Sequence, residues 1–250
     1  MAVHVYIKEE YTVKKQVIHT ISYISLIAGA LMLFWSFYPI ISFELYSRIF
    51  IEQNIVSPIP MENYVSSLKV ANTVLGSNSV YSNNLKDFVQ ANLWFPAMPQ
   101  PTSMPSKIPV NNYLLSIPKL NIIDAKVKVG GDDLSKTLVH YLPTSLPGEK
   151  GNVAIFGHST LPQLYNVKDY KTIFTYLPSL EKGDLIIVKM PDAQYEYQVF
   201  DMFVVDPDQI SILDQKYDSS YLTVVTCVPP GTYWKRLVVR AKIKELSSPN

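Results

Sequence analysis

The sequence predicts an all-β chain: a closed or nearly closed barrel of seven or eight short strands with short helices, preceded by a single apolar helix. Three observations point there. Short apolar segments separated by turn residues recur between residues 110 and 250, several of them with a period of two. The composition is rich in residues suited to strands and connections, with 17 Tyr and 18 Pro against only 9 Gly. Finally, the one long uncharged run stands apart, near the start.

That run, Val17–Phe43, contains no Lys, Arg, Asp or Glu, and His19 is its only readily ionisable side chain. A bilayer core of about 30 Å needs about 20 apolar residues in a helix, so the segment is long enough to span. Trp35 and Tyr38 lie near its far end, where amphipathic rings favour the headgroup level, and Pro39 marks an expected exit or kink. The run exceeds the h-region of a signal peptide and no small-residue cleavage site follows it, so an uncleaved anchor at 17–43 is expected. Lys8, Lys14 and Lys15 precede it while Arg48 follows. This bias places residues 1–16 in the cytoplasm and the rest outside the cell membrane, as a single-pass protein.

Residues 44–109 read as an extracytoplasmic linker. It ends in "WFPAMPQPTSMPSKIP", Trp94–Pro109, whose five prolines make a semi-rigid spacer. Residues 110–250 form the expected barrel. "YLLSIPKLNI", "AKVKV", "NVAIFGH", "GDLIIVKM", "YEYQVFDMFVV", "YLTVVTC" and "RLVVRAKI" are its strands, and "GGDDLS" is a turn that could open a short helix. In the fifth, Tyr195, Tyr197, Val199, Asp201, Phe203 and Val205 are expected to share one face. In the last, Leu237, Val239, Ala241 and Ile243 alternate with Arg236, Val238, Arg240 and Lys242, as in a half-buried strand. About 140 residues suffice to bury a core unaided.

Charge excludes one class of function. With 22 Lys+Arg against 21 Asp+Glu the formal net charge is +1, and no basic cluster suited to nucleic acid stands out. The single cysteine, Cys227, excludes an intramolecular disulfide. Its thiol at the end of an apolar strand becomes a nucleophile only if a histidine or a cation promotes the thiolate. His158 follows "NVAIFG" at a strand end, and Arg236 and Arg240 lie on the strand after the cysteine. A Cys–His–Arg trio would supply nucleophile, acid/base and oxyanion donor. Taken singly, each has a plainer reading, as a small core residue, a turn histidine and a solvated arginine, and spacing alone does not bring them together.

Three ordered blocks resemble the sortase family. "TVVTC", with Arg236 nine residues after the cysteine, is similar to its TLxTC strand and downstream arginine. "HYLPTSLPGEKGNVAIFGHST" is similar to the segment around its histidine, and "LPSLEKGDLIIVKMPDAQYEYQV" fits between them. The likeness covers about Leu114–Glu245. Val224 replaces the family leucine, "STLPQL" follows the histidine, and "VPPGTYWKR" looks closest to the class D and E branches.

The resemblance implies a sortase-type barrel and a cysteine transpeptidase. Cys227 would attack an LPxTG-like sorting signal and form a thioester, with His158 as acid/base and Arg236, in preference to Arg240, on the substrate backbone and oxyanion. The acyl group would pass to a cell-wall precursor or pilin lysine amine on behalf of surface proteins that bear the signal. Thr226, Ile210 and Leu213 are the expected substrate contacts, within and after "DPDQISILDQKYDSS". Asp206, Asp208, Asp214 and Asp218 raise calcium, but four acids in a loop are more often a solvated turn, and no cofactor or metal is expected. Some pilin-polymerising relatives carry an aromatic lid beside an aspartate; Trp94–Phe95 lacks that aspartate, so docking onto the barrel is expected. His140 is read as structural. The alternatives are a pilin-polymerising enzyme, a simple cysteine peptidase and a non-catalytic surface binding module.

Overall fold

A computed structural model describes residues 13–51, 90–91, 94 and 110–244. The chain divides into two units, residues 1–42 and 43–250. Most of the expected linker, and Phe95 with it, lies outside the described residues.

Helix α1 spans Val13–Phe50, so it starts before Val17 and outlasts the expected end at Phe43. Pro39 does not stop it. Proline removes one backbone donor, but the helix retains others nearby, and Ser42 Oγ donates to Pro39 O at 3.1 Å. Leu26, Leu31, Met32, Phe34 and Trp35 are all exposed. Among the described residues α1 is the one helix long and apolar enough, by length and composition, to cross a membrane.

The second unit contains a closed barrel of eight strands: β1 (Asn112–Ile117), β2 (Ile122–Val129), β3 (Leu138–His140), β4 (Gly151–Phe156), β5 (Leu185–Lys189), β6 (Gln194–Val205), β7 (Ser220–Val228) and β8 (Lys235–Ile243). The order around the barrel is β1-β2-β3-β4-β7-β8-β6-β5, closed where β5 pairs with β1. β2/β3 and β4/β7 are parallel pairs, and the others are antiparallel. The three-residue β3 escapes sequence reading because it is too short to show a period. "GGDDLS" forms a turn with an isolated bridge at Asp133 and no helix.

Alternation along the strands builds two apolar clusters. Val153, Ile155, Leu222, Val224, Leu237 and Val239 belong to the main core. Their neighbours Ala154, Phe156, Val225, Cys227 and Val238 belong to a second cluster on the opposite side of the same sheet. β6 departs from the expected single face. Its pairing with β8 slips between Val199 and Asp201, leaving Phe200 as the extra residue. Tyr197 and Val199 therefore join the main core, whereas Phe203 and Val205 face the second cluster. A bulge of one residue reverses every later side chain.

His140 ends β3. It is fully buried, with Nδ1 2.9 Å from Tyr113 Oη and Nε2 3.1 Å from Thr144 Oγ1. Burial pushes its pKa down from 6.5 to about 4, against a smaller opposing hydrogen bond to the Thr144 carbonyl. Between those values the unfolded chain binds the extra proton. The stability contributed by neutral His140 is therefore complete above pH 6.5 and lost as pH falls through about 4, up to roughly 3 kcal/mol. Urea unfolding at pH 7 and pH 4 should reveal that loss, and His140→Gln should flatten the slope; an equal slope in the variant contradicts this assignment.

Candidate active site

The strand registers bring Cys227, His158 and Arg236 onto one face. Antiparallel pairing sets Cys227 directly opposite Arg236, so their side chains leave the sheet on the same side. On the other flank, β4 runs parallel to β7 with Phe156 opposite Val225, and Gly157 N donates to Val225 O at 3.1 Å. Two residues beyond that pair comes His158, which continuing the same register would set level with Cys227. Arg240 pairs with Thr223 instead, about 13 Å along the strand at 3.3 Å per residue. Its guanidinium lies over the Phe203 ring at 5.1 Å.

Gly157 has a steric reason to be glycine. A Cβ there would lie 2.4 Å from the Phe174 ring and 2.6 Å from Leu138 Cδ2. The backbone after it is fixed by Phe174 N donating to His158 O at 2.9 Å and by Thr160 N donating to Thr175 Oγ1 at 3.0 Å.

Trp94 covers this trio, although it lies 142 residues from Arg236 in sequence. It is 0% exposed, stacks on Phe156 at 5.8 Å, and its ring is 5.7 Å from that of His158. Arg236 Cζ sits 5.3 Å from the indole centroid, and Nη2 donates to Trp94 O at 3.0 Å. Nη1 donates to Tyr233 O at 2.9 Å and Lys235 O at 3.2 Å. Residue 94 thus docks onto the barrel, as expected, and does so at the candidate site. Nearby, Ala91 N donates to Asp132 O at 3.0 Å.

This covering sets the electrostatics. Cys227 is only 5% exposed and Arg236 only 2%. Burial pushes the thiol pKa up, more than the Arg236 charge lowers it. Burial also takes His158 down from 6.5 to about 4, with a smaller upward contribution from Asp133. The neutral thiol and neutral imidazole are the favoured forms here.

Of the expected substrate contacts, Ile210 and Leu213 are half-buried against the second cluster, in a 3-10 turn spanning Ile210–Leu213. Thr226 differs: it is fully buried, and its hydroxyl donates to Gly157 O at 2.8 Å. It alternates with Cys227, so it points away from the face that carries the thiol. The connection before β7 is pinned by amides. Asn152 Nδ2 donates to Ile212 O at 3.0 Å, Asn152 N to Gln215 Oε1 at 2.9 Å, and Gln215 Nε2 to Asn152 O at 3.1 Å. Among the described residues no group of three or more His, Cys, Asp or Glu gathers to hold a metal. Asp206, Asp208, Asp214 and Asp218 are exposed, and Asp218 accepts from Tyr221 Oη at 2.9 Å. Ser159 and the Asn152–Gln215 pair lay outside sequence reasoning, because nothing local marks a turn serine, a strand asparagine and a loop glutamine as partners.

The sortase domain model matches residues 115–244, so the chain belongs to the sortase family. Sortase D of Bacillus subtilis (strain 168) is 29% identical over 133 residues, 52% of this chain and 62% of that protein. Sortase SrtE1 of Streptomyces coelicolor is 30% identical over 53% of this chain and 40% of its own length. The chain thus spans less than two thirds of either relative. Among solved structures, a Clostridium perfringens Sortase D5 transpeptidase aligns at 26% identity and a TM-score of 0.46, covering 54% of this chain and 79% of that one.

Two variants test the geometry. Trp94→Ala should speed alkylation of Cys227 by iodoacetamide by at least about tenfold, as losing about 1.4 kcal/mol of cover would; an unchanged rate would show that Trp94 does not shield the thiol. Gly157→Ala must displace both Phe174 and Leu138, or the backbone before His158. It should destabilise the fold by about 1–3 kcal/mol, read from the urea midpoint against wild type.

Proposed function

We propose that this chain is a membrane-anchored cysteine transpeptidase acting on an LPxTG-like sorting signal of surface proteins. The observation that carries the reading is the double register of β7, which sets Cys227 between Arg236 and the continuation of β4 at His158. Anchoring rests on α1, with the N-terminus cytoplasmic and the barrel outside the cell membrane because lysines precede the span.

In the first half-reaction the Cys227 proton passes to His158 and Sγ attacks the Thr–Gly carbonyl carbon. Arg236 donates to the oxyanion, and the imidazolium returns the proton to the departing amine, leaving a thioester. In the second, an incoming amine gives its proton to His158 as it attacks the thioester, and that proton restores the thiol. Arg236 Nη2, which donates to the Trp94 carbonyl, exchanges it for the substrate's. Ile210 and Leu213 form an apolar wall for the signal, and Thr226 serves the strand end. The amine belongs to a cell-wall precursor, or to a pilin lysine in the second reading.

The full chain in detergent micelles, given LPxTG-type peptides and a panel of amines, should form a Cys227 adduct by intact mass and an amine-dependent ligated product. Cys227→Ala should abolish both, and Arg236→Ala should slow turnover by about 10²–10³. Hydrolysis regardless of amine means a peptidase. No adduct with any peptide, together with ordinary thiol reactivity at Cys227, would falsify the enzyme reading and favour a binding module.

We further propose that the reaction runs without calcium, because Asn152 and Gln215 already hold the connection on which Asp214 lies. Turnover should be the same in excess EDTA and in millimolar calcium; a calcium-dependent rate overturns this.

A further inference from the structure

Ser159 follows the histidine directly. Backbone pairing of β4 with β7 ends as Gly157 N donates to Val225 O. Beyond it, two carbonyls of the paired segments take side-chain hydroxyls instead. Thr226 Oγ1 donates to Gly157 O at 2.8 Å, and Ser159 Oγ donates to Cys227 O at 2.6 Å. The first bond lies just before His158 and the second just after it, so His158 and Cys227 are bracketed by the two.

The far side of the histidine segment is held elsewhere, by Phe174 N on His158 O and by Thr175 Oγ1 on Thr160 N. Those contacts fix the segment to residues 174–175 but say nothing of its distance from β7. Ser159 supplies that link at the level of the nucleophile itself, through the carbonyl of the same residue that carries Sγ. Its bond is short for a hydroxyl–carbonyl pair and only partly buried. A cross-strand bond there restrains both backbones against spreading at residue 227, in addition to the packing of Val228 and Phe174 in the main core.

We propose that Ser159 is a positioning residue that sets the spacing of His158 from Cys227, an inference that rests on the catalytic reading of those two. It contacts neither substrate nor reacting atom. Its effect falls on proton transfer between thiol and imidazole, and so on the chemical step rather than on binding of the signal. Threonine keeps the hydroxyl and should keep the function.

The test uses the full chain in detergent, as wild type, Ser159→Ala and Ser159→Thr. Iodoacetamide alkylation of Cys227 across pH 5–10 reads the coupling of thiol and imidazole without any substrate. Peptide turnover then separates kcat from KM, and thermal unfolding tests whether the fold survives. For Ser159→Ala the inference expects kcat to fall by about tenfold to a hundredfold with KM unchanged. It also expects a shifted alkylation profile, a melting temperature near wild type, and recovery of all three in Ser159→Thr. A wild-type alkylation profile in Ser159→Ala overturns it, as does a loss that Ser159→Thr fails to restore or one that merely tracks unfolding. If wild type turns over no peptide, the catalytic reading fails by itself, while the alkylation profiles still decide whether Ser159 couples the two side chains.

Discussion

Strand β7 lies between neighbours of opposite sense, parallel to β4 on one side and antiparallel to β8 on the other, and the candidate site exists only where both registers hold. A slip of one residue on either side would turn His158 or Arg236 to the other face of the sheet. What prevents it is packing far from the chemistry. Val153, Ile155, Leu222, Val224, Leu237 and Val239 fill the main core from these three strands. Moving any strand by one position would bury an arginine, a histidine or a thiol there and expel a valine or leucine. The alternation that buries apolar area therefore also sets the geometry of the trio.

The outward face is not left wet. Trp94, Phe156, Val225, Ile212 and Val238 make a second apolar cluster that includes Cys227 itself. Such a surrounding disfavours charge, which is why the thiol is pushed up and the imidazole down. Cover and reactivity thus oppose each other at this site. The Trp94 indole and carbonyl hold the Arg236 guanidinium on this face.

Neutral polar side chains, rather than ion pairs, fasten the connections around the site. Asn152 and Gln215 pin the segment before β7, Thr175 holds Thr160, and Ser159 and Thr226 close the β4–β7 junction. Lys119 meets Glu181 and Asp184 at 2.9 Å on the surface, and exposed pairs of that kind contribute little. Buried amides and hydroxyls are directional, so they hold loops in place without placing a net charge beside the thiol.

The sequence by itself determined the class of the fold, the apolar helix, and the identity of Cys227, His158 and Arg236 as candidates. The first two are local patterns, a period of two and an uncharged run; the third rests on ordered motifs that resemble the sortase family. It also carried its own errors. A single-face reading of β6 assumed unbroken alternation, and no residue type announced the extra Phe200. Only the tertiary structure decided that Arg240 falls opposite Thr223, that Thr226 turns inward to Gly157, and that Trp94 closes over the trio. These facts depend on pairing register and on contacts between residues up to 142 positions apart. Local periodicity says which face a side chain takes within its strand, but the partner strand, and what packs over it, are set by the energy of the whole core.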